Sequence, residues 1–462
     1  MQRRVLSPLQ QLPRGRVQHL AQACHFASST VNMSNGKALR MTPASRIPPR
    51  DMQPTVWHRF TPLAKELNAC NLGQGFPDWP IPEFLKQAMC EAVKADFNQY
   101  SRSQGTPELC QKLAEYYAER GLNVEWDKQV CVSSGATEAM LLLCQSLLEE
   151  GDEVLVLEPI FDNYLPQIKS AGGKVVPVPL DASKGQWSLD LNTLRTTLSQ
   201  CERARVLILN SPHNPTGRML KSQEVDEIAE ILKDYPDVVV VTDEVYEHMT
   251  YNGNEHLFLG AHPALANRTV TMSSASKTFG VTGWKIGWAV GPEHLIYPMT
   301  IFHQFVSFCV STPAQIALAS ALDTAKLPYE GKPSYFEWLR QEYERKRGIL
   351  LQALEAAGLE TYPPDGGFFI IADCSNVLPL VSDKYRKMTT PGGAPVTQDW
   401  AISEWLAHEV GVATIPLASF YTDEHKERAA TLVRFAFCKQ DDVLHEAAER
   451  LAKIPVMLQE SA

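Results

Sequence analysis

The residues best suited to chemistry in this chain lie around two cations eight positions apart, Lys277 and Lys285, in the run VTMSSASKTFGVTGWKIGW. A short β-rich stretch, 270–272, leads into Ser273, Ser274, Ala275 and Ser276 just before the first lysine. Serine hydroxyls and a second cation can hold a phosphate, and a lysine beside such a site can form a Schiff base. A lone lysine among serines and glycines is ordinarily a solvated loop residue, so other positions must support this reading. Three do. Ser134, Gly135, Ala136 and Thr137 follow the run VCVS and open a helix, whose free N–H groups and positive end suit an anion. Asn214 is held in a turn by prolines and a glycine, in SPHNPTG. Asp243 ends the very apolar run VVVVTD, where a buried carboxylate is costly unless it finds a partner.

All of these positions follow apolar runs that read as strands. From residue 129 the sequence alternates VCVS, EVLVLEP, KVVPVPL, RVLILN, VVVVTD and TVTMSS with stretches of helical spacing at 137–148, 163–171, 191–199 and 223–233. Near-continuous Val, Leu and Ile runs separated by helices argue for a parallel sheet covered on both faces, in which ligands gather beyond the strands' carboxyl ends. Upstream, 57–67, 83–95 and 107–119 have helical periodicity. The Gly- and Pro-rich segment 71–82 reads as a loop, and a polar turn carries Tyr100. Downstream come a helical stretch at 303–324 and a long charged helix at 335–357. The runs GGFFIIADC, GVATIPLASF and TLVRFAFC then read as strands of a smaller α+β domain, onto which 51–82 is expected to pack.

Composition narrows the class. With 462 residues, 44% of them hydrophobic, and a net charge of −10, the chain has ample material for a core and no basic surface for a nucleic-acid partner. It contains no apolar run of about 18 residues, so no membrane span is expected. Ten cysteines without paired spacing read as reduced thiols, and the histidines form no metal-ligand pattern. Residues 1–50 differ from the rest: eight Arg and Lys, no Asp or Glu, and several serines. That is the composition of an organelle transit peptide, expected to be mitochondrial with a plastid as the alternative; Met33 offers an internal start for a cytoplasmic form.

In order and approximate spacing, Asn214, Asp243, Lys277, Lys285 and a late Arg434 resemble the class I/II aminotransferases that use pyridoxal 5'-phosphate (PLP). The segments NLGQGFPD, EPIFDNY, TDEVY, TFGVTGWKIGW, IPLASFY and VRFAFCK are similar to the kynurenine aminotransferase, glutamine transaminase K and cysteine-conjugate β-lyase branch. The resemblance implies the α/β PLP-transferase fold type I: a mainly parallel seven-stranded sheet flanked by helices, with a smaller α+β domain. Residues 1–50 would be a transit peptide or a disordered tail, 51–88 the first part of the small domain, 89–330 the large PLP-binding domain, and 331–462 the rest of the small domain. It further implies that Lys277 is the Schiff-base lysine and proton shuttle. Asp243 would pair with the pyridinium N–H, while Asn214 and Tyr246 bond the ring's 3-oxygen and Phe161 stacks on its face. Gly135, Ala136, Thr137, Ser274 and Lys285 would hold the phosphate, with Tyr100 reaching that of a partner subunit in a homodimer. Arg434, assisted by Asn214 and Gly75, would hold the substrate carboxylate, and Trp57 and Phe308 would line the side-chain pocket. The implied reaction moves an amino group from a large neutral, aromatic or sulfur-containing L-amino acid (kynurenine, glutamine, methionine or phenylalanine class) to a 2-oxo acid. Cysteine-S-conjugate β-lyase activity is the alternative at the same site. Two departures bear on substrate preference: Phe308 is followed by Cys309 where that branch commonly has an aromatic-His pair, and the phosphate loop reads SGATEA where a glycine-tyrosine pair is common.

Overall fold

Runs of Val, Leu and Ile without alternating polar residues favour strands buried on both faces. In the computed structural model, which describes residues 55–182 and 185–461, they form β1 (Val130–Ser133), β2 (Glu153–Glu158), β3 (Lys174–Pro179), β4 (Ala204–Asn210), β5 (Val239–Asp243) and β6 (Thr269–Ser274). With β7 (Gly287–Val290) they make one sheet of seven strands in the order β1-β7-β6-β5-β4-β2-β3. Residues 1–50, for which a targeting role and an internal start at Met33 are expected, lie outside the described residues, as do 51–54. Among the described residues no helix is long and apolar enough to cross a membrane.

The seventh strand is absent from the apolar runs read in the sequence because it has only four residues and is bracketed by Gly287 and Gly291. It alone runs antiparallel, between β1 and β6. Its consequence is geometric. Two antiparallel steps bring β1 back to the direction of β6, so the carboxyl ends of β1, β4, β5 and β6 emerge on one side of the sheet. In register, Gly287 stands opposite both Ser133 and Ser274, and Asn210 stands opposite Asp243.

A second sheet joins β8 (Glu360–Tyr362), β9 (Phe369–Asp373), β10 (Ile415–Pro416) and β11 (Leu432–Ala436) in the antiparallel order β10-β11-β9-β8. Arg434 lies on β11 between Ile371 and Ile415. The N-terminal helix Val56–Glu66 packs Phe60 against Trp400 with ring centroids 5.1 Å apart. Next, Cys70–Asn71 pairs in parallel with Val412–Ala413, and the Ala436 N–H donates to the Leu72 carbonyl at 2.6 Å. These pairings carry the 71–82 loop across the smaller sheet to the mouth of the large one.

The helical stretch expected at 303–324 is two helices, Glu293–Val306 and Thr312–Thr324. The break has a local cause: Phe308 takes a left-handed φ of 68°, and Pro313 sits at the start of the second helix, where a missing N–H costs nothing.

Candidate active site

A cavity of about 330 Å³ opens at the carboxyl ends of β1, β5 and β6, under the loop that follows Cys70–Asn71. Every site residue singled out from the sequence lines it except Tyr100 and Phe308. Asp243 is the last residue of β5 and is buried. Desolvation pushes its carboxyl up, and the Tyr164 hydroxyl counters this by donating to Oδ2 at 2.5 Å. Asn210, opposite it in register, donates through Nδ2 to the Asp243 carbonyl at 2.7 Å and accepts the Asn214 N–H at 2.6 Å. One asparagine thus locks two strand ends together.

Lys277 lies on the single helical turn Ala275–Thr278 that caps β6. Its ammonium donates to the Gly75 carbonyl at 2.9 Å. Its pKa is lowered from 10.5 to about 8, chiefly by burial, with Arg434 and Lys285 contributing and Cys438 and Asp243 opposing the shift. A lysine so placed is neutral, and therefore nucleophilic and basic, in a usable fraction near neutral pH. Gly75 has to be glycine, since a Cβ there would lie 2.5 Å from the Phe369 ring and 2.8 Å from that of Phe368.

Opposite, the helix Ala136–Leu147 begins at Gly135, whose φ of 80° suits glycine alone. The first N–H groups of a helix have no partner within it, so Ala136 and Thr137 present donors at the positive end of the dipole. Lys285 has a φ of 56°, and its Nζ would stand 2.8 Å from a Cβ placed on Gly135. Gly287 lies still closer to the helix start: a Cβ there would meet the Ala136 nitrogen at 2.4 Å. Ser274, at the end of β6, lines the same corner. Together they form an anion cradle: two backbone donors, a hydroxyl and an ammonium.

Arg434 is 1% exposed. Its guanidinium donates to Asn214 Oδ1 at 2.9 Å and to the Gly73 carbonyl at 3.0 Å, while Nε is buried without a partner. The rings of Phe369, Phe420 and Trp57 lie 3.9, 4.8 and 5.3 Å from its Cζ. Burial lowers its pKa to about 10, and Tyr246 and Asp162 work against that; it stays charged at neutral pH. A buried guanidinium with an unspent donor, lining an open cavity, is suited to bind a carboxylate.

A buried lysine of lowered pKa, a buried carboxylate, an anion cradle and a guanidinium with an unspent donor therefore converge. Residues 68–451 match the model of the family described as aminotransferase class I and II. The chain belongs to that family. The kynurenine–oxoglutarate transaminase of Dictyostelium discoideum is 38% identical to this aminotransferase over 415 residues, 87% of this chain and 94% of its own. Among solved structures, the N-succinyldiaminopimelate aminotransferase of Mycobacterium tuberculosis superposes with a TM-score of 0.79 at 36% identity, covering 89% of this chain and all of its own. An Escherichia coli protein with a methionine aminotransferase function gives 0.79 at 32%, with 90% and 100% covered. Fold and family both depend on PLP.

The residues present fit that cofactor. Asp243 is buried as a carboxyl whose side-chain donor is a neutral phenol, leaving room for a cationic ring nitrogen as partner. The cradle matches a phosphate, and the lowered pKa of Lys277 matches an amine that must condense. Tyr100 and Phe308 are placed differently. They are 83% and 44% exposed, and their rings meet edge-on at 5.3 Å away from this chain's cavity. Three contributors escaped the sequence reading. Asn210 had a signal, as the last residue of a strand; Tyr164 and Phe369 meet their partners only across the fold.

Proposed function

We propose that this aminotransferase takes the amino group of a large neutral, aromatic or sulfur-containing L-amino acid, of the kynurenine, glutamine, methionine or phenylalanine class, and passes it to a 2-oxo acid. The observation that carries the reading is the aromatic surround of Arg434: Trp57 and Phe369 contact it, and Phe161 and Phe76 line the same cavity. A substrate held there by its carboxylate lays its side chain against rings, and burying a large apolar side chain contributes about 1.5–3 kcal/mol. The similarity to a kynurenine–oxoglutarate transaminase and to a protein with a methionine aminotransferase function supports the same class.

When bound, PLP supplies a carbonyl that takes up the amino group and a ring that spreads the electrons released at the substrate's α-carbon. Lys277 would hold that carbonyl at rest and, with its amine free, would move the proton from the substrate's α-carbon and back. Asp243 neutralises the ring's protonated nitrogen, held in its role by Tyr164. Asn214 and Tyr246 would hydrogen-bond the ring oxygen, Phe161 would pack on the ring, and Gly135, Ala136, Thr137, Ser274 and Lys285 would retain the phosphate. Arg434 orients the substrate carboxylate with Asn214 and the Gly75 backbone. Where the substrate carries a good leaving group on its β-carbon, the same proton removal by Lys277 allows elimination, the β-lyase outcome.

Tyr100 and Phe308 complete the site of a second copy in this reading. Their exposure is shared by Tyr297 (61%) and Phe305 (78%) on the helix Glu293–Val306. So many exposed large rings mark a surface suited to burial against another chain. The test is an absorption spectrum of the purified protein after adding L-kynurenine, L-glutamine, L-methionine or L-phenylalanine without acceptor. Loss of the bound cofactor's visible band with these donors supports the reading; a band that responds only to small or acidic amino acids refutes it. Ammonia released from a cysteine S-conjugate in the same assay reads the β-lyase reaction.

A further inference from the structure

We propose that Asp162 is a positioning residue that sets how well the site accepts large side chains, because its carboxylate fixes the Trp57 indole against Arg434. The proposal rests on the substrate class put forward above. Trp57 is the second residue of its helix, and the preceding Thr55 makes no side-chain cap bond to that helix. A hydrogen bond from outside the helix fixes the indole. Asp162 supplies it from 105 residues away, accepting the Trp57 Nε1–H on Oδ2 at 3.0 Å.

Asp162 is itself held. Two residues earlier the Ile160 N–H donates to the Phe420 carbonyl at 2.5 Å, and the Phe420 ring lies 4.8 Å from the Arg434 Cζ. The segment after β2 is thus tied to two of the rings that enclose the guanidinium. The carboxylate is kept there at a cost: Oδ1 is buried without a hydrogen-bond partner, and burial pushes the carboxyl up while Trp57 and Arg434 pull it down. An unspent buried carboxylate oxygen is expensive. The hydrogen bond from Trp57 and the charge of Arg434, with the Asn163 and Asp162 backbone, offset part of that cost.

The test uses the PLP-loaded enzyme and two carboxylates that cannot donate an amino group, 3-phenylpropionate and propionate, as competitive inhibitors. Their ratio of inhibition constants reads side-chain acceptance apart from turnover. Asp162→Ala is expected to cut the preference for 3-phenylpropionate by roughly five- to tenfold, the scale of one aromatic contact. Asp162→Asn, which still offers an acceptor to the indole, should keep the ratio within about twofold, and Asp162→Ala should have no further effect in a Trp57→Ala background. Thermal unfolding reports whether Asp162→Ala is folded; Trp57→Phe, which keeps a ring but loses the N–H, carries the same test and should lower the ratio too. A high wild-type ratio that survives both changes overturns the proposal alone, as does a loss that Asn fails to rescue or that persists without Trp57. A wild-type ratio near one removes the substrate class and the proposal together.

Discussion

Replacing Arg434 with alanine separates a carboxylate hook from a structural bridge. In this structure the guanidinium spends two donors on Asn214 and Gly73, at 2.9 and 3.0 Å, and keeps its remaining N–H groups for a ligand. A substrate carboxylate bound in a fork makes two charge-assisted hydrogen bonds, each worth about 1.5–3 kcal/mol. Losing both removes about 3–6 kcal/mol, which is roughly a 10²- to 10⁴-fold fall in kcat/KM. Arg434→Lys keeps a charge but no fork, so about one bond is lost and the fall is nearer ten- to a hundredfold. The informative assay runs the two half-reactions separately: amino donor with the PLP form, then 2-oxo acid with the aminated form. Both substrates carry a carboxylate on the α-carbon or its keto equivalent, so both half-reactions should weaken by similar factors, mostly through weaker binding. A loss confined to one half-reaction, or an Arg434→Ala enzyme within about tenfold of wild type, would refute the assignment.

Other perturbations test the remaining parts. Lys277→Ala should lower kcat by at least the ~10²- to 10⁴-fold typical of a lost general base, measured in single turnovers with excess PLP. The same lysine links stability to pH in the cofactor-free protein. Its folded pKa of about 8 lies below the ordinary 10.5, so between these values the unfolded chain binds more protons. Stability should therefore rise across that window by up to ~3 kcal/mol, and thermal unfolding of Lys277→Met, with no ammonium to bury, should lack the rise. Tyr164→Phe removes the hydroxyl that donates to Asp243 and should loosen PLP by ~1.5–3 kcal/mol, read as its dissociation constant; unchanged retention would detach Tyr164 from the cofactor. Gly287→Ala places a methyl 2.4 Å from the Ala136 nitrogen and should cost ~1–3 kcal/mol of stability while weakening PLP binding, seen by melting and cofactor titration.

The parts of the site visible in the sequence are those that a strand end delivers by itself. Asp243 follows VVVVT, Lys277 follows TVTMSS and Asn214 follows LILN, so each is marked by an apolar run that stops at a polar residue. In an open parallel sheet such stops fall at one edge, and the registers of β4, β5 and β6 set Asn210, Asp243 and Met272 side by side there. The strand β7 left no such mark. Three residues between glycines carry too little periodicity to stand out, yet this strand gives β1 the direction that brings Ser134 to Thr137 to the same edge. Helix breaks were equally faint: nothing in the run 303–324 advertises that Phe308 turns left-handed.

What stayed out of reach is whatever depends on two distant segments meeting. Tyr164 stands three residues after the recognised Phe161, but its bond to Asp243 spans 79 residues; that between Trp57 and Asp162 spans 105. Neither partner has a local pattern that sets it apart from a core tyrosine or a surface carboxylate. This division has a physical basis. Reaction chemistry needs groups at fixed points on one rigid sheet, and these the strand pattern encodes. Substrate preference, in the reading proposed above, depends on how the N-terminal helix and the smaller sheet meet that edge, through single long-range bonds that any compatible pair of residues could supply. For this aminotransferase the strand ends marked a lysine beside an anion site, the resemblance of the motifs around them implied the reaction class, and the Asp162–Trp57 contact on which the proposed side-chain preference rests is revealed only by the folded chain.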